Sequence, residues 1–319
     1  MLEALLIGSI AFLLSVFLGK PIINLLIKYN VLKKVSAEIE ENHSSKTGTP
    51  TMGGIQILLS VLIITGLFNL ENRLSILLPF FAIFTCLIIG IMDDLRTTTL
   101  NATEGLSWKI KMFMLLILSS SIAIILHFQL DVQSVNVPIL GQIALDYYYL
   151  PIAILVVFLT TVSVAITDGL DGLLAGNAAI AFAAFAIIAF LQEQVYLAIF
   201  SFTMVGAILG FLWYNAYPAK VFMGETGALP IGVTLGIGSL MTGHWLLLPV
   251  IGIVFLLEAG SAVLQVCYFK FTNGKRIFKM TPLHHHFEIV GWSENQIVIR
   301  FWLIGLIGAI AGIALAITV

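Results

Sequence analysis

The sequence predicts an all-α, polytopic integral membrane protein with about ten transmembrane helices in a single domain spanning residues 1–319. The first observation is composition, since 60% of the residues are hydrophobic and only 10% are charged. The second is that apolar runs recur at close to the ~20 residues that a helix needs to cross a bilayer. The third is that these runs lack the alternation of apolar and polar residues typical of a membrane β-barrel. Helices satisfy their own backbone hydrogen bonds in lipid, so helices are the structure we expect.

Ten apolar runs have this character. They lie at 3–28, 53–70, 74–93, 109–128, 149–167, 173–191, 196–214, 228–241, 245–269 and 297–318. The first is interpreted as a helix that stays in the membrane, because Lys20 follows its apolar stretch instead of preceding it as in a signal peptide. The run at 228–241 is short and the one at 245–269 is long, so we expect a break in one or a tilt of the other.

Orientation follows from the 15 basic residues. An even number of spans puts both termini on one side, and Arg73 is the only basic residue in a loop on that side. Because Lys and Arg concentrate in cytoplasmic loops, both termini are predicted to be extracytoplasmic. The same topology brings the unusual polar residues to the cytoplasmic face, where we expect a single site. They are Asp93, Asp94, Asp168, Asp171, Glu225, His284, His285 and His286.

Asp93 and Asp94 form an adjacent pair at the end of the third span. Two such carboxylates repel each other unless a cation lies between them. Bare negative charge is unfavourable near an anionic membrane surface, which favours a bound partner over the alternative of two acids in headgroup water. A divalent cation or a basic side chain would satisfy the pair.

The motif Asp-Gly-Leu-Asp-Gly holds the second pair, Asp168 and Asp171. At this spacing they share a face if the segment is helical, and ligand binding is the favoured interpretation for both. The glycines of the motif permit a tight turn or the close approach of a ligand. Gly176 is interpreted as helix packing, as are Gly308 and Gly312, which also suit dimerisation.

The remaining candidates are isolated features. Glu225 is the one acid in the loop 215–227, where a metal ligand and a solvated acid remain alternatives. Phe222 in the same loop suits an interface anchor or a platform for a base. Glu258 lies inside the ninth span, where an acid is either functional or paired with a buried partner. The three histidines at 284–286 cannot all point one way, so phosphate binding or proton donation by one or two suits them better than a zinc site.

Carboxylates, lysines and histidines at one membrane boundary suit phosphoryl chemistry with Mg²⁺. This ion is commonly held by one or two carboxylates together with substrate phosphates, while lysine and histidine donors stabilise the transferred group. Lys46, among Gly and Thr residues before the second span, suits a phosphate cradle. One substrate can arrive from the cytosol and a lipid phosphate from the bilayer. A transporter is the alternative from another class, but transporter sites lie near the midplane between internal repeats, and the sequence has no evident repeat.

Five segments follow one another across nearly the whole chain: Lys46–Gly54, Gly90–Asp94, Thr167–Gly172, Asn215–Gly224 and Met280–Glu288. In sequence and order they resemble the motifs of phospho-N-acetylmuramoyl-pentapeptide transferases, within the wider polyprenyl-phosphate sugar-1-phosphate transferases. The resemblance implies a homodimer in the bacterial cytoplasmic membrane. It also implies Mg²⁺-dependent transfer of phospho-MurNAc-pentapeptide from UDP-MurNAc-pentapeptide to undecaprenyl phosphate, giving lipid I and UMP. Membrane lipid is an expected partner and nucleic acid is not.

The same resemblance implies roles for individual residues. The expected catalytic residues are Asp93, Asp94, Asp168 and His284, with Asp94 as a base. The expected substrate-binding residues are Lys46, Lys109, Asp171, Asn215, Phe222 and His285, with Phe222 stacking on uracil. The expected metal ligands are Glu225 and Asp168.

The chain departs from the family pattern at several positions. Glu225 stands where the family has Asp, and one extra methylene moves the carboxylate by roughly 1.5 Å, against Mg²⁺–oxygen bonds of ~2.0–2.1 Å. Ala165, Ala228 and Thr97 stand where the family has Asn, Ser and Lys. A divergent paralogue of the same fold, weakly active or non-catalytic, is therefore the alternative to a fully active transferase.

Overall fold

The computed structural model describes residues 1–32, 48–70, 73–98 and 105–318. A short antiparallel hairpin joins two of the helices, with β1 at Ser134–Val137 and β2 at Gly141–Ala144. The described helices are α1 Leu2–Lys28, α2 Gly54–Phe68, α3 Leu74–Thr98, α4 Trp108–Phe128, α5 Tyr149–Ile166, α6 Leu173–Leu191, α7 Val195–Asn215, α8 Glu225–Met241, α9 Leu248–Ile251, α10 Ile253–Phe271, α11 Leu283–Val290 and α12 Glu294–Ala316.

Each predicted span contains a helix, and eight of the described helices are long and apolar enough to cross a membrane. They are α1, α3, α4, α5 with the 3₁₀ turn before it, α6, α7, α10 and α12. The all-α membrane fold is therefore confirmed. Helix α2 has 15 residues and α8 has 17, so the number of ten crossings and the side on which the termini lie stay predictions.

The long predicted span at 245–269 is broken. Helix α9 ends at Ile251, and α10 begins at Ile253 after a single glycine. A side chain at Gly252 would lie 3.0 Å from the carbonyl oxygen of Leu248, so the absence of a Cβ atom lets the chain change direction there. Of the two alternatives for this pair of spans, the break is thus in the ninth.

The centre of the helix bundle consists of α6, α7 and α8, whose side chains are buried on nearly every face. Small residues bring the neighbouring helices close. Gly206 of α7 lies against the backbone of α1 at Gly8, and a side chain at Gly232 of α8 would lie 2.6 Å from the Cα atom of Thr161 on α5. Because lipid supplies no hydrophobic drive for helices to associate, such close backbone packing is what holds them together.

The bundle has two chemically different ends. The acidic end holds Asp93, Asp94 and Glu225, which lie at the end of α3 and the start of α8. The hairpin end holds β1, β2 and the turn after α8. The backbone N–H of Asn136 there donates to the carbonyl oxygen of Gly243 at 2.9 Å. Within the described residues, the fold thus separates segments predicted to be cytoplasmic from segments predicted to be extracytoplasmic.

Glycines set the distance between helices at the acidic end. A side chain at Gly90 of α3 would lie 2.5 Å from the carbonyl oxygen of Glu225, and Gly54 of α2 lies directly against Gly227 of α8. The start of α8 therefore contacts the backbones of α2 and α3.

Packing also explains the small-residue pair on α12. Gly308 lies on the carbonyl oxygen of Val250, and Gly312 lies against the side chain of Ile251. The packing interpretation is confirmed. The same contacts occupy this glycine face within one chain, so a dimerisation role for the face is wrong.

We expect Gly90→Ala to lower the free energy of unfolding by ~1–3 kcal/mol, because the new methyl group meets backbone that has to move. Gly66→Ala on α2 is the matched control, since no atom lies within 4 Å of the added carbon. Melting temperatures of the purified proteins in one detergent test this. An equal or smaller loss for Gly90→Ala than for Gly66→Ala would contradict the packing described here.

Candidate active site

Asp94 caps the N-terminus of α8 from a different helix. Its Oδ1 accepts a hydrogen bond from the amide of Glu225 at 3.2 Å, and its Oδ2 accepts one from the amide of Thr226 at 3.0 Å. Helix α8 starts after Gly224, which has a φ of +72° and provides no side-chain cap. The first amides of a helix lack partners and carry partial positive charge, so a buried carboxylate is favourable there. Both Asp94 oxygens are thereby fixed in position.

Lys111 lies between two carboxylates. Its Nζ is 3.0 Å from Oδ1 of Asp93 and 2.8 Å from Oε1 of Glu225. The amide of Leu106 donates to the same Asp93 oxygen at 2.9 Å. The predicted need of the acidic pair for a cation is thus met in part by a lysine on α4, which relieves the repulsion between the acids.

The family resemblance implies a role for Lys109, whereas the structure places Lys111 between the acids. Lys109 is exposed, and residues two apart on a helix point to opposite sides. A signal was available in the pattern of α4. Lys111 continues the buried stripe formed by Leu115, Ser119 and Ile122, at intervals of three and four residues.

The second acidic pair lies in a turn, because α6 begins only at Leu173. Asp168 and Asp171 therefore do not lie on one face of a helix. Asp171 joins this turn to other segments. Its Oδ2 accepts from the amide of Ala219 at 2.9 Å, and its own amide donates to Oε1 of Glu294 at 2.8 Å. Glu294, the first residue of α12, is a further residue of this end that the motifs did not reveal.

Asn215 connects the same two loops. Its Oδ1 accepts from the amide of Gly172 at 3.0 Å, and its Nδ2 donates to the carbonyl oxygen of Val221 at 2.9 Å. Both polar groups of the buried amide are used inside the chain. Asn215 therefore fixes the position of the loop that carries Phe222, and direct substrate binding stays a prediction.

His284 is held by a carboxylate inside the bundle. Its Nδ1 is 2.7 Å from Oε2 of Glu258, and its amide donates to Oε1 of the same residue at 3.2 Å. Glu258 is fully buried, so of the alternatives for this acid the paired one is confirmed. The histidine ring lies against Gly169, between the two acids of the turn, and its buried Nε2 has no partner among the described residues. The carboxylate thus orients a free ring nitrogen toward that turn.

The other two histidines have separate partners. His285 Nδ1 is 2.6 Å from Oε2 of Glu288, and His286 Nδ1 accepts from the amide of Lys279 at 3.1 Å. The three rings of the run therefore serve three different contacts, as their adjacency predicts.

Two candidates remain. Lys46 lies outside the described residues. Phe222 is only 9% exposed, and its backbone pairs with the carbonyl oxygen of Pro50 and the amide of Gly53 at 2.8 Å each. This burial makes an anchor in the membrane interface wrong, and base stacking stays a prediction.

The described residues suit a metal ion that is bound partly by protein side chains and partly by the substrate. They contain no cluster of three His, Cys, Asp or Glu side chains suited to hold a metal alone. Oε2 of Glu225, however, is buried and has no hydrogen-bond partner within the described chain. A carboxylate oxygen can only accept, so a cation suits it. Mg²⁺ commonly takes one or two carboxylates and completes its ligands with phosphate oxygens and water.

The other departures from the family pattern are accommodated without strain. The hydroxyl of Thr97 donates to the carbonyl oxygen of Asp94 at 2.8 Å. The methyl group of Ala228 is buried in the main hydrophobic core, and Ala165 packs against that core. These three positions support the fold around the acids.

Known proteins resemble this chain over most of its length. Residues 76–243, just over half of the chain, match the family described as Glycosyl transferase family 4. A protein of Chloroflexus aurantiacus (strain ATCC 29366 / DSM 635 / J-10-fl) is 42% identical, over 99% of this chain and 90% of its own. Proteins of Bacillus licheniformis and Listeria monocytogenes are 40% and 39% identical, over 98% and 97% of both chains, respectively. All three carry the name phospho-N-acetylmuramoyl-pentapeptide-transferase.

We expect Lys111→Met to destabilise the protein by ~1–3 kcal/mol, because it leaves two partly buried carboxylates without their cation. Lys109→Met is the matched control, and its exposed position predicts a change within about 0.5 kcal/mol. Melting temperatures in one detergent measure both. A larger loss for Lys109→Met than for Lys111→Met would contradict the arrangement of α4.

Proposed function

Because this chain belongs to the phospho-N-acetylmuramoyl-pentapeptide transferase family and is an enzyme of that kind, we propose that it transfers phospho-MurNAc-pentapeptide from UDP-MurNAc-pentapeptide to undecaprenyl phosphate. The products are lipid I and UMP. The observation that carries the proposal is the arrangement at one end of a membrane helix bundle, where Lys111 lies between Asp93 and Glu225 and Oε2 of Glu225 has no partner within the described chain. The names and near-complete coverage of the relatives support it.

The reaction breaks the bond between the sugar-bearing phosphorus and the bridging oxygen, which leaves with UMP. It forms a bond from that phosphorus to an oxygen of undecaprenyl phosphate, either directly or after transfer to an aspartate. Negative charge grows on the departing phosphate, so nearby positive charge and hydrogen-bond donors favour the step. We assign the first of these roles to Lys111, whose ammonium group lies at the centre of the acidic end. His284 presents Nε2 toward the turn of Asp168 and Asp171. Because Nδ1 is bonded to the carboxylate of Glu258, Nε2 donates to a phosphate oxygen when the ring carries a proton on both nitrogens.

Asp94 has a supporting role in this scheme. Its carboxylate holds the first turn of α8 in place, and that turn carries Glu225. Mg²⁺, bound through the free oxygen of Glu225 and the substrate phosphates, would supply the remaining positive charge. The Asp94 cap fixes the backbone from which this ligand extends.

The basic residues support a cytoplasmic position for the acidic end, since every loop lysine and arginine except Arg73 falls in a segment that the predicted topology puts on the side of the acids. UDP-MurNAc-pentapeptide is water-soluble and would enter from the cytosol, while undecaprenyl phosphate would arrive within the bilayer. The relatives are bacterial, which supports the bacterial cytoplasmic membrane as the location. A homodimer is part of the proposal through family resemblance.

A weakened paralogue is the second candidate, and one observation favours it. Oε1 of Glu225 is taken by Lys111, so one of the two oxygens of the predicted ligand is already in use. The extra methylene of glutamate, relative to the family's aspartate, lets the side chain reach this lysine. Activity therefore depends on whether Glu225 binds a cation through its other oxygen.

We expect the purified full-length protein to release UMP from UDP-MurNAc-pentapeptide only when undecaprenyl phosphate and Mg²⁺ are both present. Chelation by EDTA should stop the reaction and added Mg²⁺ should restore it. Asp94→Asn should fall to background, because the amide nitrogen cannot accept the hydrogen bonds that cap α8. UMP release no greater than that of Asp94→Asn would remove the transferase proposal. A large gain on combining Glu225→Asp, Ala165→Asn and Ala228→Ser would favour the weakened paralogue.

We expect Glu225→Gln to raise the Mg²⁺ concentration for half-maximal UMP release by roughly 10–100-fold, the range seen when groups around a metal are altered. The control is Glu193→Gln, which makes the same change at an exposed position of the hairpin end. A titration of Mg²⁺ at saturating substrates measures both variants. Overlapping curves for Glu225→Gln and the unaltered protein would exclude Glu225 as a ligand.

A further inference from the structure

The hairpin end contains a cavity of about 490 Å³ that the transferase reaction does not use. Its apolar rim is formed by Ile188 and Leu191 of α6 and by Ala316 and Ile317 at the end of α12. Two polar residues, Gln192 and His244, complete the described part of the lining. Leu191 and Ile317 are exposed, so the cavity reaches the surface of the bundle.

One carbonyl group fixes the orientation of the polar side chains. The carbonyl oxygen of Thr242 can only accept, and it receives Nε2 of Gln192 at 3.0 Å and Nδ2 of Asn136 at 3.2 Å. Because this oxygen only accepts, the atom that faces it must be the amide nitrogen in both side chains, which fixes the orientation of each amide. Oε1 of Gln192 consequently points away from this carbonyl, and it has no partner among the described residues.

The same network fixes the tautomer of His244. Nδ2 of Asn136 also lies 3.4 Å from Nε2 of this histidine, and an amide NH₂ can only donate. Nε2 therefore accepts, and the ring proton is on Nδ1. Burial lowers the pKa of His244, so the imidazole is neutral at pH 7. His244 is only 2% exposed, and its Nδ1 also lacks a partner within the described chain.

Two lining residues thus each carry a buried, unpaired polar atom, one a donor and one an acceptor, and none of the described lining residues is charged. Buried polar groups nearly always have partners, so a group from outside the chain is expected to supply them. A hydroxyl group meets both requirements with a single atom, because it donates and accepts. An anionic phosphate would only accept, and the described lining offers it no cation.

We propose that this cavity binds a hydroxyl group of a membrane lipid headgroup, which donates to Oε1 of Gln192 and accepts from Nδ1 of His244. The apolar rim favours a lipid over a free polyol, because lipid chains can lie against Ile188 and Ile317 once the hydroxyl is bound. The site is at the opposite end of the bundle from the acids, so it is independent of the proposed reaction.

Native mass spectrometry of the full-length protein tests this with two lipids that share dioleoyl chains and a single negative charge. Phosphatidylglycerol carries headgroup hydroxyls, and phosphatidylmethanol carries none. We expect phosphatidylglycerol to be retained about fivefold more, which corresponds to one or two neutral hydrogen bonds. Gln192→Leu and His244→Phe should each reduce this preference toward equality.

Gln194→Leu is the matched control, because Gln194 donates to the neighbouring carbonyl of Met241 at 3.2 Å but does not line the cavity. It should keep the full preference. Melting temperatures verify folding, and Gln192→Met replaces a leucine variant that fails to fold. Equal retention of the two lipids by the unaltered protein, or an unchanged preference in both cavity variants, overturns the proposal. Displacement of phosphatidylglycerol by free glycerol, together with equal retention of the two lipids, assigns the site to a free polyol and overturns it as well.

Discussion

The acidic end depends on one interaction, the capping of α8 by the carboxylate of Asp94. Helix α8 lies at the centre of the bundle and has no cap of its own at Gly224. The two hydrogen bonds from Glu225 and Thr226 fix the first turn against α3. Because Glu225 extends from that turn, the cap determines where its carboxylate meets Lys111. A helix N-terminus and its partial charge thus organise the acids before any ligand is bound.

This arrangement changes how the two adjacent aspartates are understood. They are neighbours in sequence but belong to different contacts, since Asp94 serves the backbone of α8 and Asp93 serves Lys111 and the amide of Leu106. Adjacent residues on a helix point in different directions, so one pair of acids can join two other elements at once. The glycines at 54, 90 and 227 make the cap possible, because they let the three helices approach to backbone distance.

Much of the fold was predictable from hydropathy alone. The span at 173–191 agrees with α6 at both ends, and the concentration of polar residues at one end follows from the topology of the spans. Contacts between distant segments were not predictable in the same way. Asp94 meets residues more than 130 positions later, and nothing in the local sequence specifies that contact. Lys111 could have been preferred to Lys109 from the sequence, because the helical period of α4 puts Lys111 on the buried face and Lys109 on another. A shared face for the acids at 168 and 171 was conditional on a helical segment, and the segment is instead a turn that ends at Gly172, whose φ is +79°, before α6 begins.

The pairing of Glu258 with His284 has a consequence for how the chain is made. Ribosomes synthesise proteins from the N-terminus, so Glu258 of α10 is made 26 residues before His284, the partner of its carboxyl group. During that interval the nascent chain carries a carboxyl group in an apolar segment without its native partner, which is unfavourable in lipid. The arrival of α11 at the bundle ends this state. Docking of that short helix gives the carboxyl group its partner and removes this cost.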